Sequence, residues 1–200
     1  EMEHHSNIVP WQMLCEKTGS KLKVIPINDD GTLNITEFKV LLTPNVKFVF
    51  INHVSNTLGT INPIKEIIDL SHENNTKVLI SGAQGAAHFK INLRDLDVDY
   101  YVASAHKLCG PAGVGFLYGK SELLKSLPPY QGGGEMISSV TFNKTEYADL
   151  PHKFEAGTPN IAGVIGFGAA IEYMNSIGFD NIETYEKELF GEEFDDGNIS

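Results

Sequence analysis

Several features that mark particular protein classes are missing from this sequence. It has two cysteines, Cys15 and Cys109, with no CxxC or Cys/His ligand spacing, which argues against a disulfide scaffold and favours a reducing compartment. Its longest apolar run, residues 161–171, is interrupted by glycines and is shorter than the roughly 18 residues of a membrane span. It has no Lys/Arg cluster, and 26 acidic against 15 basic side chains give a net charge of −11. We therefore expect a cytoplasmic protein that binds neither a membrane nor nucleic acid.

The two ends of the chain differ in composition from its middle. Residues 1–5 (EMEHH) lack the basic and apolar stretches of a secretory signal, and we expect them to be a cut end. Residues 191–200 carry four acidic groups and two glycines, which predicts a disordered acidic tail. The chain is 42% hydrophobic, enough for one sizeable core. Residues 1–190 are therefore predicted to form one domain that is truncated at both ends.

Hydrophobic periodicity alternates between strand and helix along the chain. Helices are predicted at 7–18, 63–73, 121–126 and 160–176, and strands at 21–27, 47–51, 77–80, 100–103 and 114–118. This alternation is typical of an α/β domain with a mostly parallel sheet and helices on both faces. Ligands of such domains bind at the carboxyl ends of the strands.

Three polar clusters directly follow predicted strands, at 52–59 (NHVSNTLG), 81–84 (SGAQ) and 104–110 (SAHKLCG). Because the carboxyl ends of parallel strands meet at one edge of a sheet, we expect the clusters to converge. Lys107 follows a buried strand beside His106 and a Gly/Pro-rich turn, where a Schiff-base lysine can act as a nucleophile. From position alone, a solvated lysine remains the commoner alternative.

Three other motifs can be weighed in the same way. Residues 104–107 match the SxxK pattern of penicillin-recognising serine enzymes, but the KTG at 17–19 precedes it and no SDN occurs. The glycine-rich residues 110–115 lead into a strand, so they indicate a tight turn and not a dinucleotide fingerprint. Glu3, His4 and His5 lack the spacing of metal ligands, and no metal site is predicted.

Six ordered blocks together resemble one family. They are EHHSNIVPWQ at 3–12, HVSNTLGTINPI at 53–64, GAQ at 82–84, DYYVASAHKLCGPAGVGFLYGK at 99–120, GGGEMI at 132–137 and FEAGTPN at 154–160. These blocks are similar to those of the SUF-type (group II) cysteine desulfurases, class V aminotransferases among the fold-type I pyridoxal phosphate (PLP) enzymes. The resemblance implies that residues 1–190 are the central, incomplete PLP-binding large domain, and it implies a homodimer.

The resemblance also implies roles for individual residues. Lys107 and His4 would be catalytic: Lys107 would hold the cofactor and move the substrate α-proton, while His4 would stack on the pyridine ring and assist proton transfer. The remaining cofactor contacts would be Ser104 and His106 to the phosphate, Asn56 and Gln84 around the phenolic oxygen, Ser81 at the ring, and Thr158 to the phosphate of a partner subunit's cofactor.

The implied reaction converts L-cysteine to L-alanine and leaves a persulfide on an enzyme cysteine. A sulfur-acceptor protein would then carry the sulfur into iron-sulfur cluster assembly. The persulfide-forming cysteine and the arginine for the substrate carboxylate belong to the family's C-terminal portion, which we expect this chain to lack. Cys109 matches no nucleophile motif and is predicted to be a small packed residue.

Ser81 departs from the family pattern. The family has an aspartate here that pairs with the pyridine nitrogen, and a serine hydroxyl has no charge with which to stabilise a protonated ring. We therefore expect impaired chemistry and looser cofactor binding. Two alternatives stay open: a selenocysteine lyase or other class V enzyme, and a non-catalytic fragment that retains a dimerisation surface.

Overall fold

The computed structural model describes residues 1–190, so the predicted tail at 191–200 lies outside the described residues. The strands are β1 (Phe48–Asn52), β2 (Lys77–Ser81), β3 (Tyr100–Ser104), β4 (Gly115–Gly119), β5 (Ile137–Val140) and β6 (Thr145–Tyr147). The helices are α1 (Val9–Thr18), α2 (Ile35–Leu41), α3 (Ile64–Glu73), α4 (Gly85–His88), α5 (Leu93–Leu96), α6 (Ser121–Ser126), α7 (Ile161–Ile177) and α8 (Phe179–Phe190). Short 3-10 turns occupy His5–Asn7, Ala105–Lys107 and His152–Phe154.

The main sheet has four strands in the order β1-β2-β3-β4. β1, β2 and β3 are parallel, and β4 returns antiparallel to β3 at the edge. Asn52 lies opposite Ser81 and Ser81 opposite Val102, so β1 and β2 end together and β3 continues two residues further, to Ser104. The predicted α/β class with a mostly parallel sheet is confirmed. β5 and β6 form a separate antiparallel hairpin.

Side chains alternate between the two faces of the sheet, and each face has its own cover. On one face, Ile51 and Ile80 are buried against Ile67 of α3. On the other face, Trp11 of α1 stacks on Phe50 of β1 with ring centroids 3.5 Å apart. α1 therefore approaches the sheet from the side opposite α3.

α7 extends the cover on the α3 side over β3 and β4. Its Phe167 and Ala170 are buried in a second core cluster with Ala103, and the rings of Phe167 and Phe116 are 6.4 Å apart. Asn160 caps this helix by accepting a hydrogen bond from the Gly163 amide at 3.0 Å. No single helix within residues 1–190 is long and apolar enough to cross a membrane; α7 and α8 meet such a criterion only as a pair bent by 71°.

The strand predicted at 21–27 is wrong. Only Ile27 pairs, in an isolated bridge to Leu33. The alternating Leu22 and Val24 are exposed, whereas Ile25 and Ile27 pack against the core. A period of two indicates a strand only where a neighbouring backbone is available for pairing, and here that pairing is limited to Ile27.

Four helices were not anticipated: α2, α8 and the four-residue α4 and α5. α2 begins after Asn34, whose side chain accepts a hydrogen bond from the Glu37 amide at 2.9 Å. Asn34 is an ordinary N-cap residue, and its residue type could have indicated the start of this helix from the sequence. α8 follows α7 after a break at Gly178, which has a φ of 86° and ends the first helix.

Candidate active site

The last residues of the three parallel strands form one row at the edge of the sheet. Asn52 and Ser81 are register partners, and Ser104 lies two residues beyond the partner of Ser81. Because residues two apart on a strand share a face, all three side chains point to the face that carries Phe50 and Trp11. The sheet thus presents polar groups at the point where α1 and its preceding segment cover it.

A cleft of about 270 Å³ opens at this row, near the lower end of the usual range for ligand sites. It is lined by His4, Ser6, Asn52, Val54, Asn56, Ser81, Ala83, Gln84, Ser104, His106 and Lys107. The three clusters predicted to converge do converge, and His4 joins them from the start of the chain. The structure brings together every predicted site residue except Thr158.

Lys107 is held in a tight turn at the end of β3. The Ala105 amide donates to the Val114 carbonyl, and the Gly110 amide returns to the Ala105 carbonyl, both at 2.9 Å. Glycine is required at 110 because a Cβ there would be 2.8 Å from the Ala105 oxygen. Lys107 is half-buried, and within residues 1–190 its amine has no hydrogen bond or ion pair. The amine is therefore available to a ligand.

His4 has a defined ring orientation. Its Nδ1 accepts a hydrogen bond from the Ser6 amide at 3.1 Å and lies 2.8 Å from the Ser6 hydroxyl. An acceptor nitrogen carries no proton, so the neutral imidazole has its proton on Nε2. This tautomer leaves an N–H donor on the ring that lines the cleft.

The lining is neutral or basic. It contains one amine, two imidazoles, three hydroxyls and three carboxamides, and no carboxylate. Ser81 stands where an acidic partner for a heteroaromatic ring nitrogen was expected from the resemblance. Within the described residues no acidic side chain of the lining takes over that position.

A buried layer beneath the cleft fixes the loops that carry it. The Tyr101 hydroxyl lies 3.3 Å from His53 Nδ1, and burial lowers the pKa of His53 to about 4, so this imidazole is neutral at pH 7. Burial also raises the pKa of Tyr101. Gly82 passes directly over the Tyr101 ring, and a Cβ at Gly85 would be 2.6 Å from His53 Nδ1. The two glycines let the 82–85 loop lie against these rings.

Two predicted residues lie elsewhere. Thr158 is exposed before α7 and does not line the cleft, so its contact with a partner subunit stays a prediction. Cys109 is not packed, contrary to expectation: it is exposed, with a φ of 56° in the turn after Lys107. The conformation of this turn exposes the Cys109 side chain to solvent. The distance in sequence between Cys109 and Lys107 could not predict that exposure.

Four lining residues were not singled out from the sequence. Ser6, Asn52, Val54 and Ala83 complete the cleft. Asn52, Val54 and Ala83 fell inside the polar clusters, and the expected strand-end position could have identified Asn52. Ser6 carried no signal, because its role depends on the way residues 1–7 cross the end of β1.

Comparisons with known proteins agree with this geometry. The family model described as "Aminotransferase class-V" matches residues 1–193. A cysteine desulfurase of Enterobacter sp. (strain 638) is 51% identical over 190 residues, which is 94% of this chain and 47% of that protein. The solved cysteine desulfurase CsdA of Escherichia coli has a TM-score of 0.91 at 39% identity, and the apo cysteine desulfurase of Thermococcus onnurineus NA1 has 0.90 at 36%. Each comparison covers 94% of this chain and 47% of the other.

The chain therefore belongs to the class V aminotransferase family. It spans about half the length of the curated relatives that it matches.

Proposed function

We propose that this class V aminotransferase chain is the core of a cysteine desulfurase and binds PLP through Lys107. The observation that carries the proposal is the meeting of an unpaired lysine amine with His4, His106 and Ser104 in one cleft. The relatives named above are cysteine desulfurases, and half of their length has a counterpart here.

The donor set fits the chemical groups of the cofactor. The Lys107 amine suits an aldehyde, the Ser104 hydroxyl and the His106 imidazole suit a phosphate, and the amides of Asn56 and Gln84 suit a phenolic oxygen. When bound, PLP supplies an aldehyde that reacts with amines and a ring that withdraws electrons from the substrate. The chain supplies the surroundings in which that chemistry runs.

Two side chains would handle protons. Lys107 holds the cofactor and, once its amine is free, accepts the α-proton of L-cysteine. His4 lines the cleft and, with its Nδ1 accepting from Ser6, would have an Nε2–H with which to exchange a proton. These roles agree with the position of both residues in the lining.

The products would be L-alanine and a persulfide sulfur. The described lining has no cysteine, so the thiol that takes the sulfur comes from outside it. The family resemblance assigns that thiol to a portion of the relatives with no counterpart in this chain. The proposal has three further parts. The sulfur would pass to a sulfur-acceptor protein for iron-sulfur cluster assembly, the protein would be cytoplasmic, and it would form a homodimer with Thr158 at the interface.

Covalent capture tests cofactor binding. The purified chain is incubated with PLP, reduced with borohydride and mapped by peptide mass spectrometry. We expect a pyridoxyl group on Lys107 and none on the exposed Lys144, which serves as an internal control. Labelling spread equally over surface lysines would refute a built site.

One observation favours a second candidate, a non-catalytic PLP-binding protein. The lining has no carboxylate and Ser81 occupies the expected position of one. Release of alanine from cysteine by the chain would exclude this candidate. Ser81→Asp is expected to tighten PLP binding. Unchanged binding and turnover would mean that the serine at 81 does not weaken cofactor binding or catalysis.

A further inference from the structure

The Glu3 carboxylate links the segment that carries His4 to the end of β1. Glu3 Oε1 accepts a hydrogen bond from the Asn52 backbone amide at 2.7 Å, and Oε2 accepts one from Asn7 Nδ2 at 2.6 Å. Asn52 and Asn7 are both buried. Glu3, the residue before His4, therefore links the edge of the sheet at Asn52 to the turn that precedes α1 at Asn7.

Each partner of Glu3 is itself anchored. Asn52 Nδ2 donates to the Met2 carbonyl at 2.9 Å, and Trp11 Nε1 donates to Asn7 Oδ1 at 3.1 Å. Trp11 in turn stacks on the sheet through Phe50. The segment is thus fixed on both sides of His4, while within residues 1–190 the hydrogen bonds of the His4 ring are those to Ser6, which belongs to the same segment.

We propose that Glu3 is a positioning residue that holds His4 over the cleft. Its hold on His4 is a property of the chain alone, whereas its effect on cofactor affinity rests on the function proposed above. A carboxylate suits this task because it accepts from both sides at once. Burial raises the pKa of Glu3 above its ordinary value, and the hydrogen bonds from Asn7 and Asn52 offset this rise in part.

Glutamine cannot make the same two contacts. If its oxygen faces Asn52, its NH₂ faces the NH₂ of Asn7, and donor meets donor. Rotating the Asn7 amide by half a turn restores that contact but turns the Asn7 NH₂ toward Trp11 Nε1–H, another donor. Glu3→Gln therefore loses at least one hydrogen bond of the set while keeping the size of the side chain.

The test is the side-chain spectrum of the histidines in the full chain, by long-range ¹H–¹⁵N NMR without any cofactor. In the unmodified chain we expect His4 to show an unprotonated Nδ1 and a protonated Nε2. In Glu3→Gln we expect averaged tautomers for His4, with the other six of the seven histidines unchanged. Glu1→Gln is the matched control, because Glu1 is exposed and accepts only from the Ile27 amide at 3.0 Å.

An unchanged His4 pattern in Glu3→Gln would overturn the proposal. If that variant does not fold, Asn7→Ala, which removes the donor to Oε2 together with the acceptor of Trp11 Nε1 and leaves the Asn52 contact in place, is expected to give the same selective change, and an unchanged His4 there refutes it equally. In a parallel PLP titration we expect about fivefold weaker binding by Glu3→Gln than by Glu1→Gln, the size of one aromatic stacking contact. If the unmodified chain binds no PLP, the proposed function fails, while the NMR result still decides the role of Glu3.

Discussion

The two ends of the same sheet carry polar clusters that differ in burial and in how many of their side chains have partners within the protein. At the amino end, Asp99 is completely buried, and its carboxylate accepts from the Val78 amide at 2.9 Å and contacts His72 Nε2 at 2.8 Å. Lys77 and Lys120 approach it at 3.5 and 3.6 Å. At the carboxyl end, five polar side chains of the cleft have no protein partner among residues 1–190: Ser81, Gln84, Ser104, His106 and Lys107.

The contrast separates a structural cluster from a candidate active site. A buried charge with all its partners present ties strands together and has nothing left to offer a ligand. An accessible group without a partner costs little, because water solvates it, and it remains free to bind. Asp97 extends the amino-end cluster: the hydrogen bond from Lys120 lowers the pKa of Asp97, and although burial alone lowers the pKa of Lys120, its bonds and charge contacts with the two aspartates raise it overall.

The largest expected effect on stability follows from removing Asp99. Asp99→Ala leaves the buried Val78 amide without an acceptor and the surrounding cations without their counter-charge. We expect the free energy of unfolding to fall by about 3–5 kcal/mol. Urea denaturation measures it, with Asp29→Ala as the control, since Asp29 is an exposed aspartate. A loss below about 1 kcal/mol would mean that the amino-end cluster is not structural.

The next effect concerns His53 and pH. Its pKa of about 4 in the folded chain lies below the value of 6.5 expected when unfolded. The unfolded chain therefore binds a proton between these values that the folded chain does not, and stability falls as pH drops from about 6.5 to 4. The loss approaches about 3 kcal/mol. Unfolding of His53→Gln over the same pH range should lack this slope, and an identical slope in both proteins would contradict the assignment.

A smaller effect is expected at the rigid floor of the cleft. In Gly82→Ala, the new methyl group overlaps the buried ring of Tyr101, which has no room to move. We expect a loss of about 1–3 kcal/mol in thermal or urea unfolding. Gly132→Ala is the matched control because a Cβ there meets nothing within 4 Å. Equal stability of the two variants would show that the floor is adaptable.

The smallest effect belongs to a solvated ion pair. Lys65 and Asp69 are in contact at 2.5 Å on α3, but both side chains are about half exposed. Asp69→Ala should cost only about 0.3–0.5 kcal/mol, and added salt should reduce the difference further. A loss as large as that of Asp99→Ala would remove the distinction between buried and solvated charge on which the comparison depends.

Much of the site was predictable because it depends on where strands end. The apolar runs at 47–51, 77–80 and 100–103 fixed three parallel strands, and the polar residues that follow them had to converge. The segment at 21–27 shows the limit of the same reasoning, since its alternation is real but faces solvent. Local pattern says which residues share a face, and not whether another strand will cover it.

Other parts of the site depend on long-range contacts that no local pattern carries. His4 reaches the cleft because Glu3 bonds to Asn52, a residue on a distant strand. Only the resemblance gave His4 a role in this site; Glu3 was weighed only as a metal ligand and rejected on its spacing, and Ser6 was not singled out. The exposure of Cys109 likewise follows from the left-handed backbone of its turn.

The most direct test of the two-ended arrangement is urea unfolding of three proteins, each with and without PLP. All three are measured at one PLP concentration, about 100 times the dissociation constant of the unmodified chain. We predict that PLP raises the unfolding free energy of the unmodified chain by about 2.7 kcal/mol and gives a similar increment to the destabilised Asp99→Ala. Lys107→Ala should match the unmodified chain without PLP and lose most of the increment. An equal PLP increment in Lys107→Ala, or none in the unmodified chain, would contradict the assignment of the carboxyl-end cleft.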